Sequence, residues 1–221
     1  GLTLPGFVER SKVIASLPSL GLLTLAGLTP DTFHISYLEM PYDEDCDNLD
    51  ASFDVVVISS YTAKIKTAYK IAKKYLEWGA KVILGGLHVN AVPEEAKLYA
   101  SSIVLGEGEL AWPEILNDLE NHSLKPVYDN RGRNFDLAHS KVPKYELLDI
   151  EKYNRLTIQT QRGCPYHCEF CASSIRISPK YKTKPLQNIR EELEKIKSLW
   201  SNPFIELADD NTFADKKHGK N

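Results

Sequence analysis

The sequence predicts an α/β fold: an open, doubly wound parallel sheet followed by the opening units of a second strand–helix array. Three observations carry this expectation. Residues 53–59 (Phe-Asp-Val-Val-Val-Ile-Ser) form a β-branched run of the kind buried on both faces in a parallel sheet. Residues 64–78 repeat Ile65, Ala68, Tyr69, Ala72, Tyr75 and Leu76 at helical spacing. Residues 81–84 then read as a second strand ending on Gly85-Gly86. Alternation of this kind implies right-handed crossovers and helices on both faces of one sheet.

The remaining elements follow in order. Residues 20–28 suit a helix and residues 33–39 a strand, with residues 2–4 as the remnant of a strand before them. Gly79 fits a helix stop. Pro93-Glu94-Glu95 reads as a helix start, with proline in the first turn and acids facing the positive end of the dipole. Residues 102–105 are a short strand and residues 110–121 a helix. From 128 to 153 the periodicity fades, and Gly132 and Pro143 mark a connecting segment. It returns with a strand at 156–160, an amphipathic helix at 186–200 presenting Ile189, Leu193 and Ile196, and a strand at 204–207. The expected organisation is a sheet domain over residues 1–127, a linker over 128–155 and a second unit over 156–221. In open parallel sheets ligands sit beyond the carboxyl ends of the strands. Here those ends are Ser59-Ser60-Tyr61, Gly85-Gly86-Leu87-His88 and Gly106-Glu107-Gly108-Glu109.

Composition narrows the function classes. A net charge of -3 makes no electrostatic case for a nucleic-acid partner. No apolar run reaches the roughly 20 residues a membrane helix requires, because Pro18 and Gly21 interrupt the best one. Nor does a basic start lead into an apolar core and cleavage site, so a cytoplasmic location is expected. The sequence starts at Gly1 without an initiator Met, and the residues after Arg155 suffice for about two strand–helix units at ~30 residues each. The polypeptide therefore reads as an excerpt of a longer one.

Three of the four cysteines fall within eight residues, in Gln161-Arg162-Gly163-Cys164-Pro165-Tyr166-His167-Cys168-Glu169-Phe170-Cys171. Cys46 stands apart among acidic residues and reads as an incidental thiol. Clustered cysteines without a secretion signal point to a metal rather than a disulfide framework. Cubanes are ordinarily held by four thiolates, so three leave one iron open, as a catalytic zinc keeps an open position. A zinc completed by His167 is a poorer fit, since His167 adjoins Cys168 and would strain the tetrahedron. A redox disulfide between Cys168 and Cys171 leaves Cys164 unexplained.

At these residues the sequence resembles the radical S-adenosylmethionine superfamily, whose signature is Cys-x3-Cys-x2-Cys with an aromatic, here Phe170, before the last cysteine. The resemblance implies a 4Fe–4S cluster on Cys164, Cys168 and Cys171. It implies S-adenosylmethionine chelated at the open iron and cleaved by one-electron reduction to a 5′-deoxyadenosyl radical. It places Phe170 near the adenine and Asp209, Asp210 and Asn211, at the end of the second strand of a partial (β/α) barrel, near the methionyl group. Those residues stand where a glycine-glycine-glutamate is often found; carboxylates can receive an ammonium group. An electron donor such as flavodoxin or ferredoxin and a small-molecule substrate are implied as well.

The segments around Pro18, Gly85-Gly86 and Gly106-Glu107-Gly108-Glu109 resemble the flavodoxin- or Rossmann-like cobalamin-binding domain that precedes many such barrels. The resemblance implies cobalamin against Ser59, Ser60, Gly85, Gly86, Gly106 and Glu107, with the glycines admitting a flat macrocycle. The Asp-x-His-x-x-Gly motif that supplies a lower cobalt ligand elsewhere does not occur, which leaves cobalamin open, and His88 reads as structural. The functional expectation is a radical enzyme, with methyl transfer from a methylated corrinoid first. Two alternatives stay open: an oxidative cyclase or rearrangement enzyme without cobalamin, and a non-catalytic module that binds metal or cobalamin.

Overall fold

The computed structural model describes residues 17–40, 49–166, 168–171, 177–178 and 180–214. Cys46, His167 and residues 2–4 lie outside them. Four parallel strands pair in sequence order: β1 (Val55–Ser59), β2 (Lys81–Gly85), β3 (Ser102–Leu105) and β4 (Val127–Asp129). Side chains alternate across the sheet, as a two-residue period requires. Val82, Leu84, Ile103 and Leu105 face one core, packed with Ile65, Ala68, Ala72 and Tyr75 of helix α2 (Ile65–Glu77). Ile83 and Val104 face the other, packed with Ala111, Trp112, Ile115 and Leu116 of helix α5 (Gly108–Glu120). Both faces are covered, so the sheet is doubly wound.

Between β2 and β3 the chain makes two short helices, α3 (Leu87–Ala91) and α4 (Pro93–Ala96), the second opening on the predicted proline. Helix α1 (Leu20–Leu28) is capped by the Ser19 hydroxyl, which accepts the Leu22 amide. It packs on the α5 face, where the Trp112 indole donates to Thr29 Oγ1 at 2.9 Å.

Three elements differ from the sequence expectation. Residues 34–40 form no strand and join no sheet among the described residues. Tyr37 instead fastens the segment to α1, its hydroxyl accepting the Ser19 amide at 2.6 Å and donating to Glu39 at 2.8 Å. Alternating apolar residues make a strand only where a partner edge meets them. The fourth strand, Val127–Asp129, lies at the start of the segment whose pattern fades. It is only three residues long, too short for a period to show. On the last helix Leu193 is 39% exposed while Glu192 is buried, so the inward line runs through Ile189, Glu192 and Ile196.

The second unit is a parallel pair, β5 (Leu156–Ile158) with β8 (Ile205–Leu207), connected through helix α6 (Leu186–Leu199). Between β5 and α6 a two-stranded antiparallel ribbon, β6 (Gln161–Arg162) with β7 (Lys182–Thr183), closes the foot of the cysteine segment. Leu23 of α1 belongs to this unit's core, with Tyr145, Leu148, Leu156, Ile158 and Ile196, whereas Leu25 and Leu28 pack against the sheet's core. One helix thus serves two cores.

The connecting segment crosses α1 at Gly27, where an added Cβ would stand 2.4 Å from the Val142 carbonyl oxygen. Gly27→Ala is expected to lower stability. Overpacking against backbone costs about 1–3 kcal/mol, while alanine's helix propensity returns about 1 kcal/mol. The obstacle is a carbonyl held next to the Lys144–Leu23 backbone bond, so the penalty exceeds the gain. Thermal unfolding of the variant reads this directly; an unchanged or raised midpoint would contradict the crossing.

Candidate functional site

The carboxyl ends of β1, β2 and β3 lie level, with Ser59 registered opposite Gly85. Their loops interlock. Gly86 has φ of 96°, and a Cβ there would meet Ser60 O at 2.9 Å and Ser59 Oγ at 3.0 Å. Gly106 has φ of 82°, and its Cβ would meet the Asn130 carbonyl carbon at 2.8 Å. Left-handed backbone at such close approaches excludes any side chain. Asn90 ties the two loops together, donating to Gly86 O at 2.9 Å and accepting the Gly106 amide at 2.7 Å. Gly85 differs: the nearest atom to its added Cβ is 4.0 Å away. Ser59 is exposed and Ser60 half-buried, so this edge presents hydroxyls beside bare backbone. A flat polar-rimmed ligand such as a corrinoid fits that chemistry.

His88 is buried, its Nδ1 3.2 Å from Thr62 Oγ1 and its Nε2 3.5 Å from Glu95. An apolar cavity of 690 Å³ runs along the outer edge of β1, lined by Phe33, Ile35, Tyr37, Val55, Val57 and Ile71 and reaching Ser59 and Ser60. Gly85, Gly86 and Gly106 do not line it, so the cavity and the loop edge are separate features.

The cysteine segment leaves β6 through Gly163, which has φ of 78°. An added Cβ there would lie 2.5 Å from Lys180 O, so glycine lets the two limbs of the loop pass. Cys164 and Cys171 are half-buried and Cys168 is exposed, and none is in a disulfide. The Cys171 amide donates to Cys168 O at 3.0 Å. Among the described residues no three His, Cys, Asp or Glu side chains converge as they would round a single ion. Phe170, beside Cys171, is 91% exposed.

The residues after β8 meet this loop by a route that sequence reading did not foresee. Asp209 Oδ1 accepts the amides of Thr160 at 2.7 Å and Gln161 at 3.1 Å, and Oδ2 accepts the Thr160 hydroxyl at 2.6 Å. Asp210 Oδ2 accepts the Gly163 amide at 2.7 Å. Asn211 Nδ2 lies 3.7 Å from Cys164 Sγ. The three residues therefore gather at the root of the cysteine loop, with Asp209 spent on two amides and the Thr160 hydroxyl.

Arg162 is the residue whose role spacing alone missed. All three of its nitrogens are engaged: Nε with Gln159 at 2.8 Å, one terminal nitrogen with Glu107 at 2.9 Å and the other with Glu109 at 2.7 Å. Lys182 donates to Glu107 at 2.5 Å and to Phe135 O at 2.8 Å. Burial, the largest single effect, would raise the Glu109 carboxyl, but the Arg162 charge and hydrogen bond, a backbone amide and the Lys182 charge together hold the group below its ordinary value. Burial likewise opposes the Arg162 charge, and the two glutamates reverse that effect. The foot of the cysteine loop thus rests on the residues that follow β3.

Comparison with known proteins fits this arrangement. Residues 10–116 match the family model described as the B12 binding domain. The chain is 32% identical over 214 residues to bacteriochlorophyllide d C-8(2)-methyltransferase of Chlorobaculum tepidum, covering 90% of this chain and 46% of that one. It is 26% identical over 211 residues to hopanoid C-2 methylase of Rhodopseudomonas palustris, covering 93% and 39%. The chain thus spans about half, or less, of the length of these relatives. Among solved structures it resembles the radical S-adenosylmethionine methyltransferase TsrM from Kitasatospora setae, solved with cobalamin and a [4Fe-4S] cluster. There the TM-score is 0.70 at 15% identity, over 95% of this chain and 49% of that one. The cobalamin-dependent radical enzyme OxsB gives a TM-score of 0.68 at 19% identity, over 99% and 34%. The α/β fold is shared with those structures. No helix of the described residues is long and apolar enough to cross a membrane. Residues 10–116 thus match the B12 binding domain model, in a chain whose two named relatives here carry methyl transfer in their names.

Proposed function

We propose that the chain is part of a cobalamin-dependent radical S-adenosylmethionine methyltransferase acting on a small molecule. The observation that carries the reading is the seating of the cysteine loop's foot, through Arg162, on the edge of a B12-binding sheet. Two cofactor stations then share one side of the molecule. Cys164, Cys168 and Cys171 would hold the 4Fe–4S cluster; Ser59, Ser60, Gly85, Gly86 and Gly106 would line the corrinoid. When bound, the cluster supplies single electrons to S-adenosylmethionine and the corrinoid carries a methyl group.

The chain's own residues do the positioning. Gly163 lets the loop double back, and Asp209 and Asp210 hold its first amides. Asn211 offers an N–H toward Cys164 sulfur, a contact that would favour the reduced state of a cluster held there. Phe170 offers an exposed ring for an adenine. The organisation proposed is a corrinoid domain up to the end of the sheet and a barrel portion from residue 156. Electron supply by flavodoxin or ferredoxin and a cytoplasmic setting belong to the same proposal.

Anaerobic reconstitution with iron and sulfide, with hydroxocobalamin added, tests it. Expected are acid-labile sulfide with iron, a cobalamin spectrum shifted by the protein, and 5′-deoxyadenosine or S-adenosylhomocysteine from S-adenosylmethionine in the protein carrying the whole barrel. Stoichiometric zinc without sulfide would end the radical reading. Cluster and cleavage without any cobalamin shift would favour the cyclase or rearrangement alternative.

A further inference from the structure

The proposed corrinoid edge ends in Gly106-Glu107-Gly108-Glu109, yet the acids of that motif make their bonds elsewhere. Glu107 is 1% exposed, and both its oxygens are used. Oε1 accepts Arg162 at 2.9 Å and Lys182 at 2.5 Å; Oε2 accepts the Phe135 amide at 2.7 Å. Arg162 and Lys182 are direct cross-strand partners in the β6–β7 ribbon. Like charges facing each other across a ribbon push it apart. That ribbon is the neck through which the chain enters and leaves the thiol-bearing loop.

We infer that Glu107 is a positioning residue for the cysteines, one carboxylate oxygen clamping both strands at the loop's neck so that the B12-binding sheet sets the loop's shape. Glu109 takes only the far end of Arg162, at 2.7 Å, and secures that side chain's aim. The identity of the metal rests on the function proposed above; the clamp itself does not.

The test is Glu107→Gln, which keeps shape and removes charge. In the metal-free protein, amide hydrogen exchange over peptides containing residues 161–163 and 182–184 is expected to quicken by roughly tenfold or more, with β1–β3 peptides unchanged. After reconstitution, ferrous iron should pass to a chelator faster by a similar factor, while hydroxocobalamin binds as in the parent. The double variant Glu107→Gln/Lys182→Met, which deletes the opposed cation, should fall back from the Glu107→Gln rates to those of Lys182→Met alone; a merely structural loss would not be rescued in this way.

Unchanged exchange at the neck, or weakened hydroxocobalamin binding with the neck intact, would overturn the clamp in favour of a corrinoid contact. If Glu107→Gln also loosens the sheet, Lys182→Met takes its place. It leaves Glu107 on Arg162 alone, and faster exchange at 182–184 with a protected sheet supports the clamp, while no change there overturns it. A parent protein that takes up no iron would defeat the proposed function and leave the exchange result to decide the clamp.

Discussion

Replacing Cys164, Cys168 or Cys171 singly with alanine is expected to abolish cluster assembly while leaving the fold intact. Each substitution removes one of three donors, and a cubane with two protein thiolates has no stable seat. The loss should exceed the roughly 10–100-fold that changes beyond the immediate ligands cost. Stability should hardly move, because Cys168 is exposed and the other two are half-buried, and such positions tolerate change within about 0.5 kcal/mol. Iron, labile sulfide and urea unfolding measured together give the result. Equal iron in all three variants would remove these thiols from the site. Unfolding in any of them would recast that cysteine as core.

The second large effect is expected at Lys184→Met. Lys184 sits just beyond β7 and its Nζ is 2.6 Å from Glu192 on α6, with side-chain exposures of 6% and 2%. Breaking a buried pair from one side costs about 3–5 kcal/mol, because the remaining charge has lost its counterion. Glu192 is poorly placed to absorb that loss: its other oxygen has no hydrogen-bond partner.

The cost will depend on pH, with a definite sign. Burial already raises the Glu192 carboxyl above its ordinary value, with Lys184 opposing. Removing Lys184 raises it further, so the folded variant holds a proton that the unfolded chain releases. Stability then falls as pH rises through the window between the ordinary and the raised value. Urea unfolding at mildly acidic and mildly alkaline pH should show a smaller deficit on the acid side. Adding Glu192→Leu should recover most of the loss, since apolar replacement of a buried pair is often neutral or better. A deficit independent of pH would mean that Glu192 is reached by water.

The sheet was readable because β2 and β3 are buried on both faces and β1 is half-buried along most of its length. Residues 53–59, 81–84 and 102–105 announce themselves by β-branched density, and α2 by the spacing from Ile65 to Tyr75. The three cysteines were readable because their spacing is local. What escaped was pairing at a distance. Arg162 finds Glu107 55 positions away and Lys182 finds it 75 away, and no window along the chain contains both ends. The β6–β7 ribbon has two residues per strand and no period to detect. At α6 the amphipathic pattern counted Leu193 with Ile189 and Ile196, whereas a buried lysine just beyond the neighbouring ribbon draws Glu192 in. Residues 34–40 carry a strand's alternation without a strand's partner.

Helix α1 gives Leu23 to one hydrophobic cluster and Leu25 and Leu28 to another. Neither cluster can be solvated without stripping a wall from its neighbour. The two units should therefore melt as one cooperative block, with calorimetric and van't Hoff enthalpies in agreement. Leu23→Ala should lower that single transition rather than split it in two.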